Sequence, residues 1–134
     1  MKTLKILVVG GCGYIGTHMV KALIQAGHHP ITLDDLSTGH RSLLPDGALI
    51  EGSIADTSLL DQIFTSERID AVMHFAAFIE VGESVCDPLR YYRNNFSNTA
   101  NLLEAMLRHD VKRFIFSSSA AVYGEPDYTP IDED

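Results

Sequence analysis

Cysteine occurs only twice, at Cys12 and Cys86, far apart and without metal-ligand spacing. The six histidines are scattered, and none joins a cysteine or carboxylate in a recognisable metal motif. No metal is therefore expected. Basic residues are also in short supply: ten Lys and Arg against eighteen Asp and Glu leave a net charge of −8. That balance argues against a nucleic-acid or anionic-membrane surface, since both reward clustered Lys and Arg. No apolar run approaches the roughly 20 residues that a membrane helix needs. The start, Met1 to Lys5, lacks the apolar stretch and small-residue cleavage site of a signal peptide. A cytoplasmic location is the expectation. Internal repeats, linkers and low-complexity tracts are missing too, so residues 1–134 read as one domain.

The composition that remains is 46% apolar with a mean hydropathy near zero. A chain of this length can bury a real core. Short β-rich runs alternate with helical patterns. Leu4 to Val9 is the first strand, and it ends on Gly10-Gly11. From Tyr14 the period changes, with Ile15, Met19, Ala22, Leu23 and Ala26 on one helical face and Gly27 as a C-terminal cap. Pro30 to Asp34 and Ala48 to Glu51 are the next strands, joined by an aperiodic loop over Ser37 to Gly47. Asp56 suits the N-cap of a helix that turns Leu59, Leu60, Ile63 and Phe64 inward. Asp70 to Phe75 is a fourth strand and Lys112 to Ser117 a fifth. Between them one long helix is expected from near Pro88, packing Leu102, Leu103, Met106 and Leu107. This alternation predicts a doubly wound (Rossmann) α/β fold, a mostly parallel sheet of about five strands with helices on both faces.

Glycines at 10, 13 and 16 stand between the first strand and the first helix. Glycine there permits a tight turn, lets backbone approach a pyrophosphate and allows the helix to pack closely on the strand. The helix start then offers free N–H groups and a positive dipole end to phosphates, whatever the net charge. A lone glycine triplet is weak evidence, but here the strand and the helix flank it as the motif requires. Asp34 ends the second strand, eighteen residues beyond Gly16. A carboxylate there accepts hydrogen bonds from a ribose diol and repels a 2′-phosphate, which favours NAD over NADP. Its neighbour Asp35 could share or exchange that role.

Further blocks follow in order. They are Asp34 to Gly39, His74-Phe75-Ala76-Ala77, Val81-Gly82-Glu83-Ser84, Tyr92-Arg93-Asn94-Asn95 and Ser117-Ser118-Ser119-Ala120-Ala121-Val122-Tyr123-Gly124. With the glycine turn, they cover essentially the whole chain, which resembles the UDP-glucose 4-epimerase family of extended short-chain dehydrogenases. The resemblance implies tightly held NAD and a UDP-sugar that is oxidised at C4 to a ketone, turns, and is reduced on its other face. It also implies roles. Tyr14 and Ile15 lie beside the pyrophosphate, and Asp34, Asp35, Leu36, Ser37, Thr38 and Gly39 surround the adenosine ribose. Ser53 and Ile54 sit at the adenine, and Phe75, Ala76, Ala77, Phe78 and Ile79 line the cofactor's middle. Asn94 falls near the nicotinamide, and Ser119 is the catalytic hydroxyl that bonds the sugar's C4 oxygen. Taken alone, Ser119 would be a serine that ends a strand and bonds backbone; the surrounding block reverses that reading.

Departures from the family pattern matter as well. Gly52-Ser53-Ile54 stands where the family has Gly-Asp-Ile, so a charged adenine contact is replaced by a hydroxyl. Ile79 stands where some members carry a lysine. Ala120 and Ala121 occupy the positions at which related dehydratases need an acid/base carboxylate pair, which favours simple epimerisation. The family's base, a Tyr in a Tyr-x-x-x-Lys helix, has no match. Four positions after Tyr14, Tyr91, Tyr92, Tyr123 and Tyr128 stand His18, Asn95, Phe96, Asp127 and Asp132. Two readings stay open. The chain is the amino-terminal, NAD-binding part of an enzyme whose Tyr helix and substrate domain lie elsewhere, or it is an NAD-binding or interaction module without turnover. Galactose-type, N-acetylated and uronic-acid sugars also stay open. A sheet that stops at a fifth strand leaves an edge, so a homo-oligomer is a further expectation.

Overall fold

The apolar run of β1 (Lys5–Val9) is the central strand of a five-stranded sheet in a computed structural model. The structure describes residues 2–45 and 48–132, so Asp46 and Gly47, the end of the expected loop over Ser37 to Gly47, lie outside the described residues. The other strands are β2 (His29–Asp34), β3 (Ala48–Glu51), β4 (Ala71–His74) and β5 (Phe114–Phe116), in the order β3-β2-β1-β4-β5. Every pairing is parallel. Alternate β1 residues feed two cores. Ile6 and Val8 pack with Val20 and Leu23 of α1 (Tyr14–Gln25) on one face. Leu7 and Val9 pack with α2 (Thr57–Glu67) and α5 (Asn98–Arg108) on the other. Helices thus cover both faces, as the doubly wound pattern predicts.

Two helices differ from the sequence expectation. In α1 the buried residues are Gly16, Thr17, Val20 and Leu23, whereas Ile15, Ala22 and Ala26 are exposed and Met19 is half-buried. At Gly16 the helix lies against the backbone of Gly10 and Gly11, with no room for a Cβ, and that contact turns the 16-20-23 row inward. The long helix expected from near Pro88 runs without a break over residues 88–108, as α4 (Pro88–Tyr91), a π-helical turn over Tyr92–Ser97 and α5, and a separate short helix, α3 (Val81–Cys86), precedes it. Asp87 starts α4 by accepting the Arg90 N–H at 3.2 Å. In α5 Leu102 and Met106 are buried as expected, but Ala105 completes the stripe. Leu103 and Leu107 instead point outward, at 38% and 76% exposure. Asp56 does cap α2, accepting the Leu59 N–H at 3.0 Å, and Leu60, Ile63 and Phe64 are buried beneath it.

Candidate functional site

After β1 the chain crosses to one side of the sheet, and β4 lies on its other side, so a crevice opens at the carboxyl ends of β1, β2 and β4. Gly10 ends β1 with φ +80°, and a Cβ there would stand 2.7 Å from the Ala76 N. At Gly16 a Cβ would stand 2.1 Å from the Gly10 carbonyl oxygen. Both positions are closed to any side chain. Gly13, the N-cap of α1, differs: a Cβ would meet only the Gly10 oxygen, at 3.4 Å. No side chain caps α1. Its first bond runs from the Thr17 N–H to the Gly13 carbonyl at 2.9 Å. The N–H groups of Tyr14, Ile15 and Gly16 ahead of it lack helical acceptors.

Asp34 is buried, and its carboxylate braces the turn. Oδ2 accepts the Cys12 N–H at 2.8 Å, and Oδ1 accepts the Leu36 N–H at 2.9 Å. The exposed Asp35 accepts the Ser37 N–H at 3.0 Å. The His40 N–H bonds the Cys12 carbonyl at 3.0 Å, which folds the 35–40 loop back onto the glycine turn. Ser53 accepts the Ala55 N–H at 3.2 Å, leaving its hydroxyl proton free to donate.

Most residues singled out in the sequence meet in one recess: Gly10, Gly13, Asp34, Asp35, Ser37, Thr38, Gly39, Ser53, Ile54, Phe75, Ala76, Ala77 and Asn94. Val9, Leu33 and Gly52 also line it; each stands within one residue of the carboxyl end of a strand, and that position was the signal that could have found them. Ile15, Ile79 and Ser119 lie instead in a second recess of about 750 Å³, which shares Phe75 to Phe78 as its wall with the first. Tyr14, Gly16 and Leu36 line neither. Tyr14 is 80% exposed and edge-on to His18, Gly16 is buried under the turn, and Leu36 contributes its N–H to Asp34 from a left-handed backbone at φ 57°.

In the second recess Ser119 accepts the Ala121 N–H at 3.1 Å, so its hydroxyl proton is free to donate. Tyr91 donates to Glu83 at 2.7 Å. Burial, and then the Glu83 carboxylate, push its phenol above the usual range. His74 is buried, with Nε2 2.9 Å from the Thr99 hydroxyl. Because that hydroxyl donates to the Asn95 carbonyl, the proton shared with His74 belongs to Nε2. Its Nδ1 has no partner among the described residues, and burial lowers its pKa to about 4. No group of three metal-ligating side chains occurs among the described residues.

The model of the NAD dependent epimerase/dehydratase family matches residues 6–134. The chain belongs to that family. As an epimerase/dehydratase family member it is 53% identical over 128 residues to UDP-glucose 4-epimerase of Halalkalibacterium halodurans, covering 96% of this chain and 38% of that protein. It is 51% identical over 131 residues to the same enzyme of Azospirillum brasilense, covering 97% and 38%. The crystal structure of UDP-glucose 4-epimerase from Brucella ovis in complex with NAD superposes with a TM-score of 0.87 at 46% identity, covering 98% of this chain and 40% of that one. The chain thus spans about two fifths of the length of the relatives it matches. No helix among the described residues is long and apolar enough to cross a membrane.

Proposed function

We propose that this chain is the NAD-holding part of a UDP-hexose 4-epimerase, acting on UDP-glucose and UDP-galactose through a 4-keto sugar. The observation that carries this is the pairing of the two recesses across one wall, with the glycine turn on one side and Ser119 on the other. The residues fit NAD. Gly13 borders the first recess at a point where the chain's own packing would admit a methyl group, which suits close approach of a pyrophosphate. The open N–H groups of Tyr14, Ile15 and Gly16 suit its oxygens. Asp34 and Asp35 face a ribose diol with carboxylates and disfavour a 2′-phosphate. When bound, NAD supplies reversible hydride exchange with the carbon that bears the C4 oxygen.

The chain's own residues do the positioning. Ser119, with its proton free, donates to the C4 oxygen and holds it. Ala120 and Ala121 offer no acid or base for eliminating water, which favours epimerisation over dehydration. No tyrosine of this chain is suited to take the C4 proton. Tyr91 reaches the second recess, but its phenol is occupied by Glu83 and its pKa raised. His74 is too weak a base with a pKa of about 4. The proton acceptor is therefore assigned to a part of the enzyme outside these residues, and this chain alone should bind without turnover. Both cysteines are free, which suits a cytoplasmic protein. We also take it to self-associate.

Calorimetric titration tests the cofactor: NAD should bind, and NADP more weakly by about tenfold or more. Absence of NAD binding at millimolar concentration would sink the assignment. For the reaction, a chimera joining this chain to the remaining residues of the Halalkalibacterium relative should convert UDP-galactose to UDP-glucose. Ser119→Ala in that chimera should slow turnover about a hundredfold. A chimera that binds NAD but leaves the sugar unchanged would count against the epimerase reading.

A further inference from the structure

The wall between the recesses, residues 75–80, has no regular secondary structure. At its start the Phe75 N–H bonds the Val9 carbonyl at 2.8 Å. Its middle is gripped by one side chain. Asn95 Oδ1 accepts the Phe78 N–H at 2.9 Å, and Asn95 Nδ2 donates to the Phe78 carbonyl at 2.9 Å. One amide thereby satisfies both backbone groups of Phe78, replacing the strand partner that the wall lacks. Asn94 Nδ2 donates to the same Oδ1 at 2.9 Å. The Phe78 ring is held in turn, with the Arg90 guanidinium 4.5 Å above it and the Tyr91 ring 5.6 Å away.

Asn95 is itself anchored from behind. Its carbonyl accepts the Thr99 hydroxyl at 2.9 Å, and that hydroxyl accepts from buried His74 at the end of β4. The π-helical turn Tyr92–Ser97 holds Asn94 and Asn95 in this arrangement. Asn94 lines the first recess and Asn95 the second. Local π turns of this kind are frequent at functional sites.

We propose that Asn95 is a positioning residue: it fixes the 75–78 wall, and through it the seat of the nicotinamide half of the cofactor, while leaving the adenosine end independent. This rests on the NAD reading above. The adenosine end is bounded by Asp34, Asp35 and Ser53, none of which bonds Asn95. Unpairing both Phe78 groups should let the wall move without disturbing that end.

Three readouts on Asn95→Ala and Asn95→Asp test it: hydrogen exchange at the Phe78 amide, calorimetric affinities for AMP and NAD, and exchange at the core amides of Leu7 and Val72. In the Ala variant the Phe78 amide should exchange about tenfold faster and NAD affinity should fall about tenfold, with AMP affinity and core exchange unchanged. Aspartate keeps the acceptor for the Phe78 N–H and loses the donor to its carbonyl. It should therefore restore most of the Phe78 protection and part of the NAD affinity. A parallel fall in AMP and NAD affinity with faster core exchange would reduce Asn95 to a folding role and overturn the proposal. So would Phe78 exchange and an NAD-to-AMP ratio both left unchanged. If neither ligand binds the unaltered chain, the cofactor reading fails, while exchange at Phe78 still decides whether the clamp exists.

Discussion

A methyl group added at Gly13 would meet only one atom of the protein, whereas at Gly16 it would run into backbone at 2.1 Å. The two glycines of one motif therefore serve different ends, and the difference is measurable. Gly16→Ala should cost about 3 kcal/mol of stability or more, because backbone cannot step aside as a side chain can. Gly13→Ala should cost under about 1 kcal/mol yet weaken NAD binding by about tenfold. Thermal melting and calorimetry on the two variants separate these outcomes; equal losses of stability would show that the turn tolerates neither. At the same scale, Ser53→Asp should tighten NAD through a charged acceptor at the adenine, by about threefold to tenfold, and an unchanged affinity would remove that contact from the account. Residue identity and order were enough to single out Gly10, Gly13 and Asp34, which line the first recess, and Ser119, which lines the second. What Asp34 does with its oxygens was not legible. Its bonds to the Cys12 and Leu36 N–H groups exist only once the 35–40 loop folds back over the turn.

Short, continuously apolar β-rich runs identified every strand, as strands buried on both faces require, and apolar residues at helical spacing identified α1 and α2. That spacing was weaker on which residues of a helix face inward. In α1, the rows 15-19-22 and 16-20-23 are both plausible faces, and the choice fell to a backbone contact at Gly16 that periodicity does not see. The continuous helix over residues 88–108 was legible, but its π-helical turn at Tyr92–Ser97 and the shift of its buried stripe onto Ala105 were not, since both answer to contacts with the rest of the fold. That correction yields its own test on α5. Leu102, fully buried against α2 and the sheet, should lose about 2–5 kcal/mol as Leu102→Ala. Leu107, which the apolar pattern equally marks as core, is 76% exposed and should tolerate Leu107→Gln within about 0.5 kcal/mol. Denaturant unfolding distinguishes them, and a large loss at Leu107 would mean that it is covered in solution.

For the molecule as a whole, such cover is expected. Val85, Leu89, Tyr92, Phe96 and Leu107 recur at near-helical spacing along α3 to α5 and are all more than half exposed, an apolar stripe of the kind that marks an interface. Light scattering should detect self-association as concentration rises, and Phe96→Lys should weaken it; a monomer at every concentration would refute it. Stability should also depend on pH through His74. Its folded pKa of about 4 lies below the ordinary 6.5 because burial disfavours the charged ring, so below pH 6.5 the unfolded chain binds a proton that the folded chain refuses. The stabilisation is complete above pH 6.5 and declines as pH falls toward 4, by up to about 3 kcal/mol. Asp61, held below 3.8 by His109 and then Arg108, adds a loss in the same direction only at lower pH. His74→Gln carries no titrating ring, so its stability should stay nearly flat between pH 6.5 and 4 while that of the natural chain falls. Parallel curves for the two proteins over that interval would show that His74 is not the group that carries the acid sensitivity.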